Sequence, residues 1–274
     1  MTLRFPFVVA SFLVGSLPLS AATVLYMNDF SGTGGNLAFT TETTDAEWAL
    51  NGGAYRNTYS KSNSTASTAA LSVGGVVGNS FTMESQFTVT QAGNFNVNGA
   101  TLGFGFFASS PTFSTTSNSF YLADFQYGNS TSNTANVGLL RILSLGDDSD
   151  FSAVNASADG DIGTSNLAVS VGTTYTLRLI GTYEGETLNM SFGLWDAAGT
   201  SQIGTSATAT DLTPLTGTNF GYRNRIGQGG GTSIIDYDNY SITASVSAVP
   251  EPSAFAFLGG VVVLGAASVR RRRR

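Results

Sequence analysis

The 274-residue chain is predicted to fold as an all-β, antiparallel sandwich. Three observations predict it. Apolar and polar residues alternate with a period of two along most of the body, the mark of strands with one buried face. The alternating segments are separated by loops of Gly, Ser, Asn and Thr. The body holds no convincing amphipathic helix, and about a dozen short strands without helices favour sheet packed on sheet.

The strands follow in chain order. Val24 to Asp29 opens the body, and Trp48 to Leu50 and Ala54 to Tyr59 come next. Residues 81–90 read Phe-Thr-Met-Glu-Ser-Gln-Phe-Thr-Val-Thr, which turns Phe81, Met83, Phe87 and Val89 toward a core. Leu102 to Ala108, Phe120 to Tyr127 and Val137 to Leu145 are further strands. Tyr175 to Leu179 and Leu188 to Leu194 alternate again, with the turn glycine Gly185 between them, so 173–195 is predicted to be a hairpin that buries Leu177, Leu179, Leu188, Met190 and Phe192. Asn219 to Arg225 and Ser233 to Ala244 complete the series. In the last strand the apolar phase changes from Ile235 and Tyr237 to Tyr240 and Ile242, which predicts a bulge or twist near Asp238-Asn239.

Both ends differ from the body. Residues 1–22 carry Arg4, an apolar stretch Phe5 to Leu19 and the small residues Ser20-Ala21-Ala22, the pattern of a secretory signal peptide cleaved at Ala22. At the other end, Ala254 to Val269 is free of charge and would reach roughly 24 Å as a helix, close to the hydrocarbon thickness of a bilayer. Arg270, Arg271, Arg272, Arg273 and Arg274 follow it and resist translocation. Pro250 and Pro252 disfavour helix before the span, so Pro250-Glu251-Pro252 is expected to lie extended outside the membrane. The chain thus divides into a signal peptide (1–22), a β-sandwich (23–248) and a terminal segment (249–274) with one transmembrane helix.

In the order motif, span and arginine tail, residues 249–274 closely resemble the PEP-CTERM sorting signal of exported bacterial proteins. The resemblance implies recognition of Pro250, Glu251 and Pro252 by the membrane enzyme exosortase, with removal of Ala254 to Arg274. It also implies a Gram-negative bacterium that makes exopolysaccharide, transient residence in the inner membrane, and delivery to the cell surface or extracellular matrix.

Composition narrows the chemistry. The chain has no Cys and no His, which removes disulfides, thiolate nucleophiles, Ser-His-Asp relays and the usual zinc and copper ligand sets. Of 12 Lys and Arg, six lie in the two terminal segments, whereas only one of the 18 Asp and Glu does. The body therefore carries six basic against 17 acidic side chains, a net charge near −11. That balance argues against nucleic acid or anionic membrane surfaces as partners.

The opening Leu25-Tyr26-Met27-Asn28-Asp29-Phe30, the strand 81–90, the hairpin 173–195 and the closing run Ile235 to Ile242 together resemble the concanavalin A-like jelly roll of legume-type lectins, laminin-G-like modules and several glycan-processing enzymes. The resemblance implies pairing of the first and last strands, and it leaves function to be argued from particular residues. A glycosidase needs two carboxyl groups across the scissile bond. The closely spaced acids are Glu184 with Glu186, which flank a turn glycine and read as solvated hairpin acids, and Asp236 with Asp238, which lack the family's Glu-x-Asp-x-x-Glu pattern. Asp147, Asp148, Asp150, Asp159 and Asp161 are candidate calcium ligands, since calcium takes carboxylates and carbonyls; acid-rich loops are more often simply hydrated. Trp48, Trp195, Tyr222, Arg223 and Asn224, with Arg225 beside them, have the chemistry of sugar contacts, an aromatic face with planar polar groups. Ordinary packing is the competing reading of both tryptophans. Trp195 is out of phase with Leu188, Met190, Phe192 and Leu194, which places it on the opposite face.

The leading expectation is a noncatalytic surface or exopolysaccharide-matrix protein, structural or adhesive, with weak glycan contacts and no obligatory cofactor. The alternatives are a glycoside hydrolase or polysaccharide lyase of the same fold, and a calcium-dependent lectin.

Overall fold

The computed structural model describes residues 22–31, 37–41, 46–59, 63–68, 80–91, 100–110, 113, 119–127, 134–142, 167–168, 170–226 and 232–245. Every regular element among them is a strand. In chain order these are β1 (Ala22–Asn28), β2 (Leu37–Thr41), β3 (Ala46–Asn51), β4 (Ala54–Tyr59) and β5 (Asn63–Thr68). Then come β6 (Ser80–Gln91), β7 (Ala100–Ala108), β8 (Phe120–Tyr127), β9 (Thr134–Ile142) and β10 (Leu167–Ala168). The last five are β11 (Thr174–Glu184), β12 (Thr187–Asp196), β13 (Gln202–Asp211), β14 (Asn219–Ile226) and β15 (Ser233–Ser245).

They form two antiparallel sheets. One has eight strands in the order β13-β12-β11-β6-β15-β4-β3, with β1 also pairing with β15; the other has seven in the order β10-β9-β8-β7-β14-β5-β2. The predicted all-β antiparallel class is therefore observed. The pairing of first and last strands is observed too, with Ala22 opposite Ser245 and Asn28 opposite Tyr240. The predicted hairpin is β11 and β12, closed at Gly185, whose φ is 64°. A positive φ at the first central residue of a two-residue turn suits glycine and matches the twist of the flanking strands.

The core lies between the sheets because alternation turns one side of each central strand inward. All nine side chains expected there are buried: Phe81, Met83, Phe87, Val89, Leu177, Leu179, Leu188, Met190 and Phe192. Rings from the two sheets meet, as in Phe87 with Phe125 at 5.4 Å, Phe104 with Phe192 at 6.1 Å and Tyr222 with Tyr237 at 4.3 Å. Such contacts add roughly 0.5–1.5 kcal/mol each beyond area burial.

Several polar groups inside the core are hydrogen-bonded across the sheets. The Ser85 hydroxyl of β6 lies 2.7 Å from the Tyr222 hydroxyl of β14 and donates to the Asp238 carbonyl of β15 at 3.0 Å. Tyr237 donates to the Asn224 side-chain oxygen at 2.7 Å, and Asn224 donates to Asn57 at 2.8 Å. The β15 register shifts between Asp238 and Ser241, and Asn239 has a φ of 50°. This is the predicted bulge, and asparagine is among the few residues that tolerate the left-handed region.

Four strands are missing from the sequence reading: β2, β5, β10 and β13. Asn63–Thr68 consists of small or polar residues, and so does Gln202–Asp211 apart from Ile203, so they offer little apolar contrast for a period-two pattern. Tertiary pairing decides them instead.

Candidate functional site

Several candidate residues lie outside the described residues. These are Pro250, Glu251 and Pro252, Arg270 to Arg274, and the acids Asp147, Asp148, Asp150, Asp159 and Asp161. Ala22 is described, as the exposed first residue of β1.

The five candidate sugar contacts fall in three different places. Trp48 is 9% exposed and stacks on Tyr55 at 4.8 Å and on Tyr222 and Tyr237 at 5.8 Å. Tyr222 and Asn224 are fully enclosed between the sheets. Burial of these three leaves no face for a sugar ring; their aromatic and amide chemistry serves the core. Alternation along β14 sends Arg223 to the outer side of the seven-stranded sheet, where it is 2% exposed and its guanidinium lies 5.5 Å from the Phe120 ring centre. A second apolar cluster of Ala108, Phe113, Phe120 and Leu122 is buried on that side. Gly105 admits the Phe113 ring, which a Cβ would meet at 2.3 Å. The middle of this face is packed, with Asp124 and Arg223 in register on either side of Gly103.

Trp195 is different. It is half-buried on the outer side of the eight-stranded sheet, as the phase of β12 predicts, and the Arg178 guanidinium lies 4.3 Å from its ring centre. Arg178 is held by an ion pair to Glu84 and donates to the Gly199 carbonyl at 2.9 Å. Strand register sets Gln202, Trp195, Thr176, Gln86 and Asp238 in one row across β13, β12, β11, β6 and β15. The Gln86 amide is fixed at both ends: it donates to the Ala197 carbonyl at 2.7 Å and accepts from Asn239 at 2.9 Å. The turn after β12 is folded by Asp196, whose carboxylate accepts from the Thr200 and Ser201 amides. The Ser201 and Thr200 backbone bonds hold the Asp196 carboxyl below its ordinary range.

Sequence reasoning passed over Arg178, Glu84, Gln86, Thr176 and Asn239. Their signal was available. Positions 84 and 86 share the polar phase of one predicted strand, and 176 and 178 that of its neighbour.

The remaining candidate acids are either taken up locally or solvated. Asp236 takes both arms of Arg56, at 2.6 and 2.7 Å. Asp238 shares its outer face, and burial is the main cause that raises its carboxyl above the usual range. Asp211 accepts from the Tyr121 hydroxyl at 2.5 Å and from Arg141 at 3.3 Å, tying the end of β13 to the other sheet. Glu184 and Glu186 flank Gly185 and are exposed, as solvated turn acids are. No group of three acids that could hold a metal ion occurs among the described residues.

No protein-family model and no curated protein matches the chain. Among solved structures, the chain is similar to basic winged bean lectin with Tn-antigen at 15% identity, covering 81% of this chain and 98% of that one, with a TM-score of 0.47. Peanut lectin with a 9-residue peptide is similar at 12% identity, over 81% and 97% of the two chains, with a TM-score of 0.47. An alginate lyase is similar at 12% identity, over 76% and 96%, with a TM-score of 0.40.

Proposed function

We propose that the chain is an exported, noncatalytic surface protein, sorted by exosortase to the cell envelope or exopolysaccharide matrix, where its β-sandwich acts as a structural or adhesive module through weak glycan contacts. The observation that carries this reading is the sequence 249–274, in which Pro250-Glu251-Pro252 precedes the uncharged apolar run Ala254 to Val269 and five arginines. The body supports the same reading. Its acids at Asp236, Asp211 and Glu84 are taken up in ion pairs that join strands, and its exposed pair Glu184 and Glu186 lies at a two-residue hairpin turn.

Replacing Pro250-Glu251-Pro252 with three alanines tests it. In a host with exosortase, the unaltered chain is expected at the surface without its span, and the variant uncleaved in the inner membrane, because the span still fits the bilayer. Mass spectrometry decides: peptides from Val261 to Val269 in the matrix-associated protein would overturn the sorting step. Incubation with alginate and neutral glucans checks the noncatalytic part, where new reducing or unsaturated ends would overturn it.

A further inference from the structure

We propose that the glycan contact of the body is the outer face of the eight-stranded sheet around Trp195, and that its ligand is a neutral polysaccharide chain. This rests on the adhesive reading above and gives it a place and a ligand class. The seven-stranded sheet offers no comparable surface at its centre, because its outer side is closed by Phe113, Phe120 and Leu122. The eight-stranded sheet carries a register row from Gln202 through Trp195, Thr176 and Gln86 to Asp238. Thr176 is buried where it and Gln86 donate to the Ala197 carbonyl of the next turn, so the row is open at Gln202 and Trp195 on one side of that turn and at Asp238 and Asn239 on the other. Five strands at about 4.8 Å spacing make that row roughly 19 Å long, so a sugar chain seated on Trp195 would reach Asp238 by passing over the Ala197 turn.

The chemistry of the row fits sugar better than protein. An indole supplies the apolar face that the C–H side of a pyranose stacks on, and carboxamide and carboxylate groups pair with its hydroxyls. Beyond the row of Arg178 and Glu84, the next row on this face holds Ile180 and Val24 among Ser191, Thr82 and Thr243, so two aliphatic side chains interrupt a hydroxyl surface. The key groups are already ordered. Arg178 is fixed on Trp195 by Glu84 and Gly199, and Gln86 is fixed by Ala197 and Asn239, so binding costs little further side-chain entropy.

Charge selects the ligand. Arg178 is balanced by Glu84, while Asp238 and Asp196 leave the face net negative, on a body already near −11 by the count of its charged residues. A polyanion such as alginate is repelled from such a surface. A neutral glucan is not.

The test uses the full chain in mild neutral detergent, run in native gels containing hydroxyethylcellulose, dextran or alginate. Retardation by at least one neutral glucan is expected, with none by alginate. Trp195→Ala should weaken that retardation about tenfold, Trp195→Phe should retain part of it, and Trp48→Phe should leave it unchanged. Because Trp195→Ala could disturb folding, Trp48→Phe also provides a chain whose only indole is Trp195, and its emission should shift on adding the glucan. Unchanged retardation in a folded Trp195→Ala variant, stronger binding to alginate, or no binding to either glucan would each overturn the proposal. None of these outcomes touches the cleavage and sorting measurements, so the two readings fail separately.

Discussion

Ser85 shows how much a single small residue contributes to the sandwich. It occupies an apolar phase position of β6, yet it is a serine, fully buried, and it meets the Tyr222 hydroxyl and the Asp238 carbonyl. The bulge in β15 explains the choice, since a register shift there leaves the Asp238 carbonyl in need of a donor. Ser85→Ala is expected to lower stability by roughly 1–3 kcal/mol, because it strands the buried Tyr222 hydroxyl. Combining it with Tyr222→Phe should recover part of that loss, since removing both partners avoids the unpaired group. Thermal melting of the two single variants and the double variant decides: strict additivity would show that the Ser85 and Tyr222 hydroxyls are not coupled.

Whole elements divide into those that the sequence makes legible and those that pairing creates. β4 and β8 match their predicted limits, and β6, β11, β12 and β15 are recognisable because bulky apolar side chains alternate with polar ones. β13 pairs seven of its residues with β12 but buries only Ala207, Ala209 and Asp211, which are too small or too polar to mark a strand. The candidate site divides in the same way. Residue type alone put Trp48, Tyr222 and Asn224 beside Trp195, whereas phase separates them: three face the core and Trp195 faces out. Phase also places Arg178, Glu84 and Gln86 with Trp195, but their assembly needs the register of three strands, which one sequence does not carry. The β11-β12 turn is the element most dependent on one residue. At a φ of 64°, Gly185→Val is expected to cost at least about 1–2 kcal/mol, while Glu186→Gln should cost nearly nothing. Denaturant melts of both variants check this, and equal stability would show that the turn relaxes to another type.

At the scale of the molecule, the sandwich is closed by its own ends and filled with tyrosine. β15 is flanked by β6, β4 and β1, so the sheet is complete only when residues 22–28 and 233–245 meet. Its interior holds Tyr55, Tyr121, Tyr222 and Tyr240, and Tyr183 packs half-buried against it. Tyr55, Tyr121, Tyr183, Tyr222 and Tyr240 all have hydroxyls that resist ionisation, with burial the first cause in each case. This predicts a sharp alkaline limit. Below the ordinary phenol pKa of 10.0 these groups are protonated in both states, and the stability they share in is intact. Above it, unfolded phenols release protons that folded ones keep, so the unfolded state gains and stability falls as pH rises. For fully buried phenols such as Tyr222 and Tyr240 the loss approaches about 1.4 kcal/mol per pH unit each. The expected result is one cooperative transition above pH 10, in which tyrosinate absorbance appears together with loss of near-ultraviolet circular dichroism. Gradual ionisation of these tyrosines at the ordinary phenol range, with the dichroism retained, would mean that water reaches the core and that the sandwich is looser than its packing implies.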